Sequence, residues 1–246
     1  MNISFKGKQT RKSAFTLAEV LITLGIIGVV AALTLPTLIQ TNKNKEVETK
    51  LQKIYSVMKQ AILMSELDNG PREHWDSQCK GSEDDASGEI GCQAWYKKYI
   101  LPYVKTIKIE EFNNFAGYNI AMYFEDGSVL ISKKGYDYFF YPNAKNFTQS
   151  DLGSMDENGN LAERKGNGIT YFSFSFSNVH CRNKADQRYC KPEFEPYKFA
   201  LTEMSEDALT SGQYGCRKDG KIKAYCTALI QYNNWKIPKN YPFKVK

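Results

Sequence analysis

The longest feature of the sequence is a run of apolar residues near its beginning. Residues 15–35 read FTLAEVLITLGIIGVVAALTL and contain a single charge, Glu19. About 20 helical residues, at 1.5 Å per residue, cross the apolar core of a bilayer. The pattern therefore predicts a transmembrane helix over residues 15–38. Pro36 lacks a backbone donor and is expected to kink that helix.

A second pattern, over residues 39–68, predicts an amphipathic continuation of the helix. Its inward positions recur three and four residues apart, as on one face of a helix. They are Val47, Leu51, Ile54, Met58, Ala61 and Ser65, with Tyr55 and Ile62 beside them. Lysines occupy the other faces, so one stripe is predicted to pack on a globular body. Asn69, Gly70 and Pro71 form a strong stop signal.

The remaining residues, 69–246, predict one exported α+β head with antiparallel strands packed on this helix. Residues 118–124 and 128–132 flank Asp126-Gly127 and form a hairpin signal. Further strands are predicted at 136–141, 169–177 and 198–202, and short helices at 94–104 and 226–232. Residues 169–177 alternate aromatic and serine side chains, which predicts a strand that buries one face only.

Charge is concentrated in the first 14 residues. Of the net +6, Lys6, Lys8, Arg11 and Lys12 supply +4, and no acid accompanies them. Such a basic segment is typical of the cytoplasmic flank of a membrane helix. The rest carries only +2, which argues against nucleic-acid binding. Aromatic residues interleaved with lysine could stack single-stranded bases, but filling the core of a sheet is the favoured interpretation.

All six cysteines follow the apolar run, and an even number on the exported side predicts disulfides. Pairing between sequence neighbours is the simplest arrangement: Cys79–Cys92, Cys181–Cys190 and Cys216–Cys226. The alternative is a zinc site, but zinc ribbons use C-x-x-C pairs, and none of these spacings matches.

One loop is a candidate calcium site. Asp156, Asn158 and Asn160 place oxygen atoms at alternate positions, as in some calcium loops. Asn167 stands where an EF-hand has its final glutamate, so a plain turn is favoured. No other metal or cofactor is predicted.

The sequence does not predict an enzyme. His74 and His180 are its two histidines. His180 adjoins Cys181, which cannot act as a thiolate nucleophile when it is disulfide-bonded. Common hydrolase, metalloprotease and phosphate-loop motifs are absent from the sequence.

Glu19 is the unusual residue of the apolar run, since a carboxylate in hydrocarbon costs about 2.5 kcal/mol or more. It could reach the headgroups at the membrane surface, or find a positive partner when helices pack together. An ordinary signal peptidase could cut after Ala31-Ala32, but the length of the run and Glu19 weaken that alternative.

The segment Ala14-Phe15-Thr16-Leu17-Ala18-Glu19 resembles the class III signal of type IV pilins and type II secretion pseudopilins. The resemblance implies that a prepilin peptidase removes the leader, residues 1–14, and N-methylates Phe15. It also implies that Glu19 neutralises the amine of a neighbouring subunit and sets axial register. By the same resemblance, residues 15–38 would also form the core of a filament, and Pro36 falls where pilin helices commonly carry a proline. Ala14 departs from the usual glycine, so cleavage could be slower.

The resemblance implies a structural subunit of a pilus-like or secretion-like filament. Its partners would be other pilin subunits, prepilin peptidase and an inner-membrane assembly platform. The chain would cross the bacterial inner membrane once, with its head on the exported side. The alternative function is a minor or tip module for adhesion or ligand binding, including DNA uptake, that uses the helix only as an anchor.

Overall fold

The computed structural model describes residues 16–76, 92–114, 117–133, 137–152, 163–177, 191–199, 201 and 203–246. The chain divides into two compact units, Met1–Asn42 and Lys43–Lys246. Helix α1, Leu17–Asn69, contributes residues to both units. The finer division into residues 1–14, 15–38, 39–68 and 69–246 stays a prediction.

The first unit consists, where it is described, of the apolar part of α1. Its threonine hydroxyls donate to carbonyls three or four residues earlier: Thr23 to Val20, Thr34 to Val30 and Thr41 to Thr37, each at 2.9 Å. These bonds satisfy the polar atoms within an apolar surface. The helix is continuous through Pro36. The kink expected there stays a prediction.

The second unit is built on a six-stranded antiparallel sheet whose spatial order follows the chain order. Gly127, at φ 77°, makes the tight turn between the second and third strands, a conformation that glycine adopts without steric cost. The strands are β1 Lys108–Asn114, β2 Gly117–Tyr123, β3 Val129–Lys133, β4 Asp137–Tyr141, β5 Phe172–Ser177 and β6 Lys191–Pro196.

Short helices complete the second unit: α2 Cys92–Tyr99, α3 Glu206–Thr210 and α4 Cys226–Tyr232. Single 3₁₀ turns occur at Arg72–His74, Leu101–Tyr103, Ala144–Asn146 and Gln149–Leu152. Gly70, at φ 76°, follows the last residue of α1, which confirms the predicted stop.

Among the described residues of the second unit, buried side chains form three clusters. The largest joins the stripe of α1 and the aromatic residues of α2 to one face of the sheet, including Phe172, Phe174 and Phe176. The second lies on the opposite face, around Phe139, Tyr141 and Tyr171. The third surrounds α4. The sheet is therefore covered on both faces.

The structure confirms the hairpin, the described part (137–141) of the strand predicted at 136–141, and the helix at 226–232, but it corrects three other predictions. The predicted strand at 198–202 is wrong, because its described residues form a turn in which the Leu201 N–H donates to Lys198 O (3.2 Å). The helix predicted over 94–104 ends at Tyr99, and Pro102 lies in a separate 3₁₀ turn.

The third correction concerns the burial of β5, and the edge strands β1 and β6 were not predicted. Strand β5 is buried on both faces, since Ser173, Ser175 and Ser177 are 2%, 4% and 1% exposed. On the serine face, Asn167 exchanges hydrogen bonds with Ser173 (2.9 and 3.2 Å).

Candidate assembly helix

The first half of α1 exposes its apolar side chains on every side. Its large apolar residues range from 42% exposed at Val20 to 78% exposed at Leu17. The helix is long and apolar enough to cross a membrane, and none of its most apolar 18-residue window is buried. Because this surface is far larger than soluble proteins leave exposed, it requires lipid or other helices as its surroundings.

Glu19 caps the start of this helix. Its Oε2 accepts from the Thr16 backbone N–H (2.8 Å) and from the Thr16 hydroxyl (2.9 Å), while the Thr16 Oγ1 accepts from the Glu19 N–H (3.2 Å). This reciprocal pair is a capping box. Thr16 is neutral, so within the described residues the charge of Glu19 has no cationic partner from this helix end.

The second half of α1 is ordered by its buried stripe. The predicted stripe is confirmed, since Val47, Leu51, Ile54, Met58, Ala61 and Ser65 are all buried. Lysines beside the stripe bind the sheet: Lys50 Nζ donates to Pro142 O (2.8 Å), and Lys53 Nζ to Asp126 Oδ2 (2.8 Å). This half therefore belongs to the core of the second unit.

Glu48 is a buried carboxylate inside this packed region, 8% exposed. Its Oε1 accepts from the Ile237 backbone N–H (2.9 Å), and its Oε2 accepts from Lys236 Nζ (3.0 Å). Both bonds reach residues almost 190 positions later. Glu48 therefore ties the closing segment of the chain to α1.

Tyr55 and Trp235 add a second contact between the same two segments. Their rings lie 4.9 Å apart, and the Tyr55 hydroxyl donates to Glu195 Oε1 (2.9 Å). Burial raises the pKa of the Tyr55 hydroxyl, and Glu195 raises it further. Asn234 and Trp235 both have positive φ, 54° and 61°, a strained conformation that persists only where packing enforces it.

Arg72 joins the end of α1 to edge strand β6. Its guanidinium binds both Glu66 oxygens (2.6 and 2.7 Å), and its Nη1 donates to Pro192 O (2.6 Å). The hydrogen bond from Arg72 lowers the pKa of Glu66 below its ordinary value. This fork geometry is the strongest form of a charge-assisted pair.

One predicted disulfide lies in the described region. Cys216 and Cys226 are bonded, and both are buried against Leu209 and Leu229 beside α4. Cys92 begins α2, but its side chain and the residues Cys79, Cys181 and Cys190 lie outside the described residues. Those two pairings stay predictions.

Several other candidate residues also lie outside the described part of the chain. They are Ala14 and Phe15 of the cleavage site, His180, and the calcium candidates Asp156, Asn158 and Asn160. His74 lies in an exposed 3₁₀ turn.

Sequence reasoning missed the roles of Glu48 and Arg72. An acid next to the apolar stripe at Val47 was the available signal for Glu48, because a charge at the border of a buried face needs a partner. The partners themselves are remote in sequence and could not be read from spacing.

The exposed apolar helix, its capped acid and the head packed on its second half define the class of a pilin-like protein. The model of the prokaryotic N-terminal methylation motif matches residues 9–35, which is the signature of type IV pilins and pseudopilins. The motif implies assembly with other pilin subunits and processing by prepilin peptidase.

The rest of the chain identifies a particular family. Residues 37–245 match a family of unknown function, DUF6613, and the chain belongs to that family. No curated protein and no solved structure matches the chain. The motif and the apolar helix fit a membrane-anchored structural protein.

Proposed function

We propose that this protein is a filament subunit of a type IV pilus-like or type II secretion-like system. The observation that carries the proposal is the first half of α1, which is apolar on all sides and buried on none. Before assembly, the helix crosses the bacterial inner membrane once, and lipid covers its apolar surface. Transfer into a filament replaces lipid with the helices of other subunits.

Glu19 supplies the specificity of that transfer. Removal of the leader after Ala14 creates an amine at Phe15, which becomes N-methylated and stays cationic. The Glu19 carboxylate of one subunit pairs with this amine on its neighbour. An unpaired carboxylate in an apolar environment costs about 2.5–3.5 kcal/mol, so the pairing selects one axial register. The Thr16 hydrogen bonds support this role, because they orient the carboxylate without neutralising it.

The direct test is Glu19→Ala in cells that carry the native assembly system. The variant is expected to remain in the membrane fraction and to be lost from sheared filaments. The matched control is Glu46→Ala, which removes an exposed acid from the second half of the same helix. Normal incorporation of Glu19→Ala into filaments would refute the register role.

Processing has its own test. Mass spectrometry of the mature protein is expected to find a methylated amine at Phe15, and Ala14→Gly is expected to speed leader removal. An intact leader, or a cut after Ala32, would contradict the proposal.

A further inference from the structure

Lysines are concentrated in the closing segment of the chain. Residues 235–246 contain four lysines and no acid. We call them the C-terminal lysine group: Lys236, Lys239, Lys244 and Lys246. All four are exposed, and the Lys236 side chain is 73% exposed although it is paired.

The charge of this group is only partly compensated. Lys236 Nζ lies 3.0 Å from Glu48 Oε2. Among the described residues, no carboxylate forms an ion pair with Lys239, Lys244 or Lys246. Three positive charges of the group therefore face solvent.

The backbone that carries these lysines is fixed. The Ile237 N–H donates to Glu48, the Tyr241 hydroxyl donates to Gly168 O (2.8 Å), and the Lys246 N–H donates to Ile169 O (2.9 Å). Val245, between two of the lysines, is buried in the main cluster. The segment thus presents its charges from a rigid surface rather than from a free tail.

Few residues separate the attachment point of this surface from the apolar half of α1 along the chain. Ile39 is the last large exposed apolar residue of that half. The second unit begins at Lys43, and Glu48, which holds Lys236, comes five residues later, about 8 Å along the helix. The exposed Lys45 lies between them.

We propose that the C-terminal lysine group, together with Lys45, binds the headgroup phosphates of anionic phospholipids while the subunit is anchored in a bilayer. The inference rests on the proposed function, since it requires the apolar half of α1 to be membrane-inserted. Clustered lysines next to a membrane anchor are attracted by the negative potential of anionic lipids.

Lipid phosphate fits this surface better than nucleic-acid phosphate. Binding of single strands relies on exposed aromatic rings that stack on bases. The aromatic rings of the lysine-bearing segment are engaged with the protein instead: Trp235 packs on Tyr55, and Tyr241 packs on Phe243. What the segment offers to a ligand is therefore charge without stacking.

The test uses the full chain in lipid nanodiscs, with amine acylation of each lysine followed by mass spectrometry. Discs of phosphatidylcholine alone are compared with discs containing about a third phosphatidylglycerol. The group is expected to react about threefold more slowly in the anionic discs, and to recover its reactivity in about 0.5 M NaCl. Lys97 and Lys98 of α2 serve as internal controls and are expected to react equally in both.

The double variant Lys239→Glu/Lys244→Glu sharpens the result. It is expected to return Lys236 and Lys246 to their neutral-disc reactivity in anionic discs, whereas Lys97→Glu leaves their slow reaction unchanged. Equal reactivity of the wild type in both discs overturns the inference. So does protection by an oligonucleotide in neutral discs, which would assign the surface to nucleic acid.

Failure of the proposed function gives a different signal. A chain that washes out of neutral discs with carbonate lacks the anchor itself. A chain that stays inserted while its lysines react equally in both discs has the anchor and lacks only the lipid contact.

Discussion

The two halves of α1 are one helix by backbone hydrogen bonding and two different surfaces by side chain. In the first half, Leu33 is 74% exposed and stands for a surface that is apolar all round. In the second half, Leu51 is fully buried and belongs to one stripe. A helix that is apolar on all sides can be buried only by surroundings on all sides, either lipid or a bundle of helices. A single apolar stripe can be buried by one partner face.

The acids of the helix repeat this contrast. Glu19, in the first half, is bonded only to Thr16 of its own first turn among the described residues. Glu48, in the second half, is bonded to residues from the far end of the chain. Glu48 is therefore paired within the second unit. Glu19 needs a countercharge from outside its own helix end.

The largest effect on stability is expected from a leucine truncation in the second half of α1, compared with a matched truncation in the first half. Leu51→Ala is expected to destabilise the second unit by about 2–5 kcal/mol, because it removes a fully buried side chain and leaves a cavity. Thermal unfolding of the full chain in detergent measures the effect.

Leu33→Ala is the control for that truncation and is expected to change the same transition by no more than about 0.5 kcal/mol. Equal losses of unfolding free energy in the two variants would show that the first half is also packed, and would contradict the contrast between the halves.

Loss of the Cys216–Cys226 bond is expected to have the next largest effect. Serine at both positions should cost about 2–3 kcal/mol, because the bond closes a short loop and its sulfur atoms lie in the cluster around α4. Hydrogen exchange is expected to speed up in α4 and to stay unchanged in the first half of α1. Faster exchange in the first half would argue that the two halves respond together.

Glu48→Ala is expected to cost about 1–3 kcal/mol, because the partly buried Ile237 N–H loses its acceptor. Glu48→Gln keeps an acceptor and should recover part of the loss. Glu46→Ala, an exposed pair on the same helix, is expected to stay within about 0.5 kcal/mol of wild type by denaturant unfolding. If Glu46→Ala cost as much stability as Glu48→Ala, the buried and the exposed acid would not differ in their contribution to folding.

Acid is expected to have the smallest effect. The pKa of Glu66 is lower in the folded protein than its ordinary 4.5, chiefly because of the hydrogen bond from Arg72. Its contribution is therefore present above pH 4.5 and is lost as the pH falls through the depressed value. The loss should amount to roughly 1 kcal/mol in unfolding scans, and Glu66→Gln should flatten the profile. An unchanged profile in that variant would assign acid sensitivity to other groups.

The parts of the fold that sequence predicted are those where one local pattern decides the structure. The stripe of α1 and the β2–β3 hairpin each need only spacing and a turn residue. Strands β1 and β6 escaped because both lie at sheet edges. Edge strands tolerate charge and proline, so Glu110 and Glu111 in β1, and Pro192 in β6, hid the strand pattern.

The burial of β5 and the role of Glu48 depend on remote parts of the chain. Serine next to phenylalanine normally indicates a solvent face, but these serines are buried and Asn167, from the preceding loop, binds Ser173. For the candidate site, Glu19 and the apolar run were readable because the membrane imposes its own pattern. The attachment of Ile237 and Lys236 to Glu48 had no local signal.

That attachment has a consequence for the order in which the second unit folds. Val47 and Leu51 share their cluster with Ile230 and Val245, so the core closes only when segments separated by nearly two hundred residues meet. Loop closure over such a separation is slow, and the early stripe stays uncovered meanwhile. Arrival of Ile230 and Val245, rather than formation of the helix, therefore sets the moment at which this core can close.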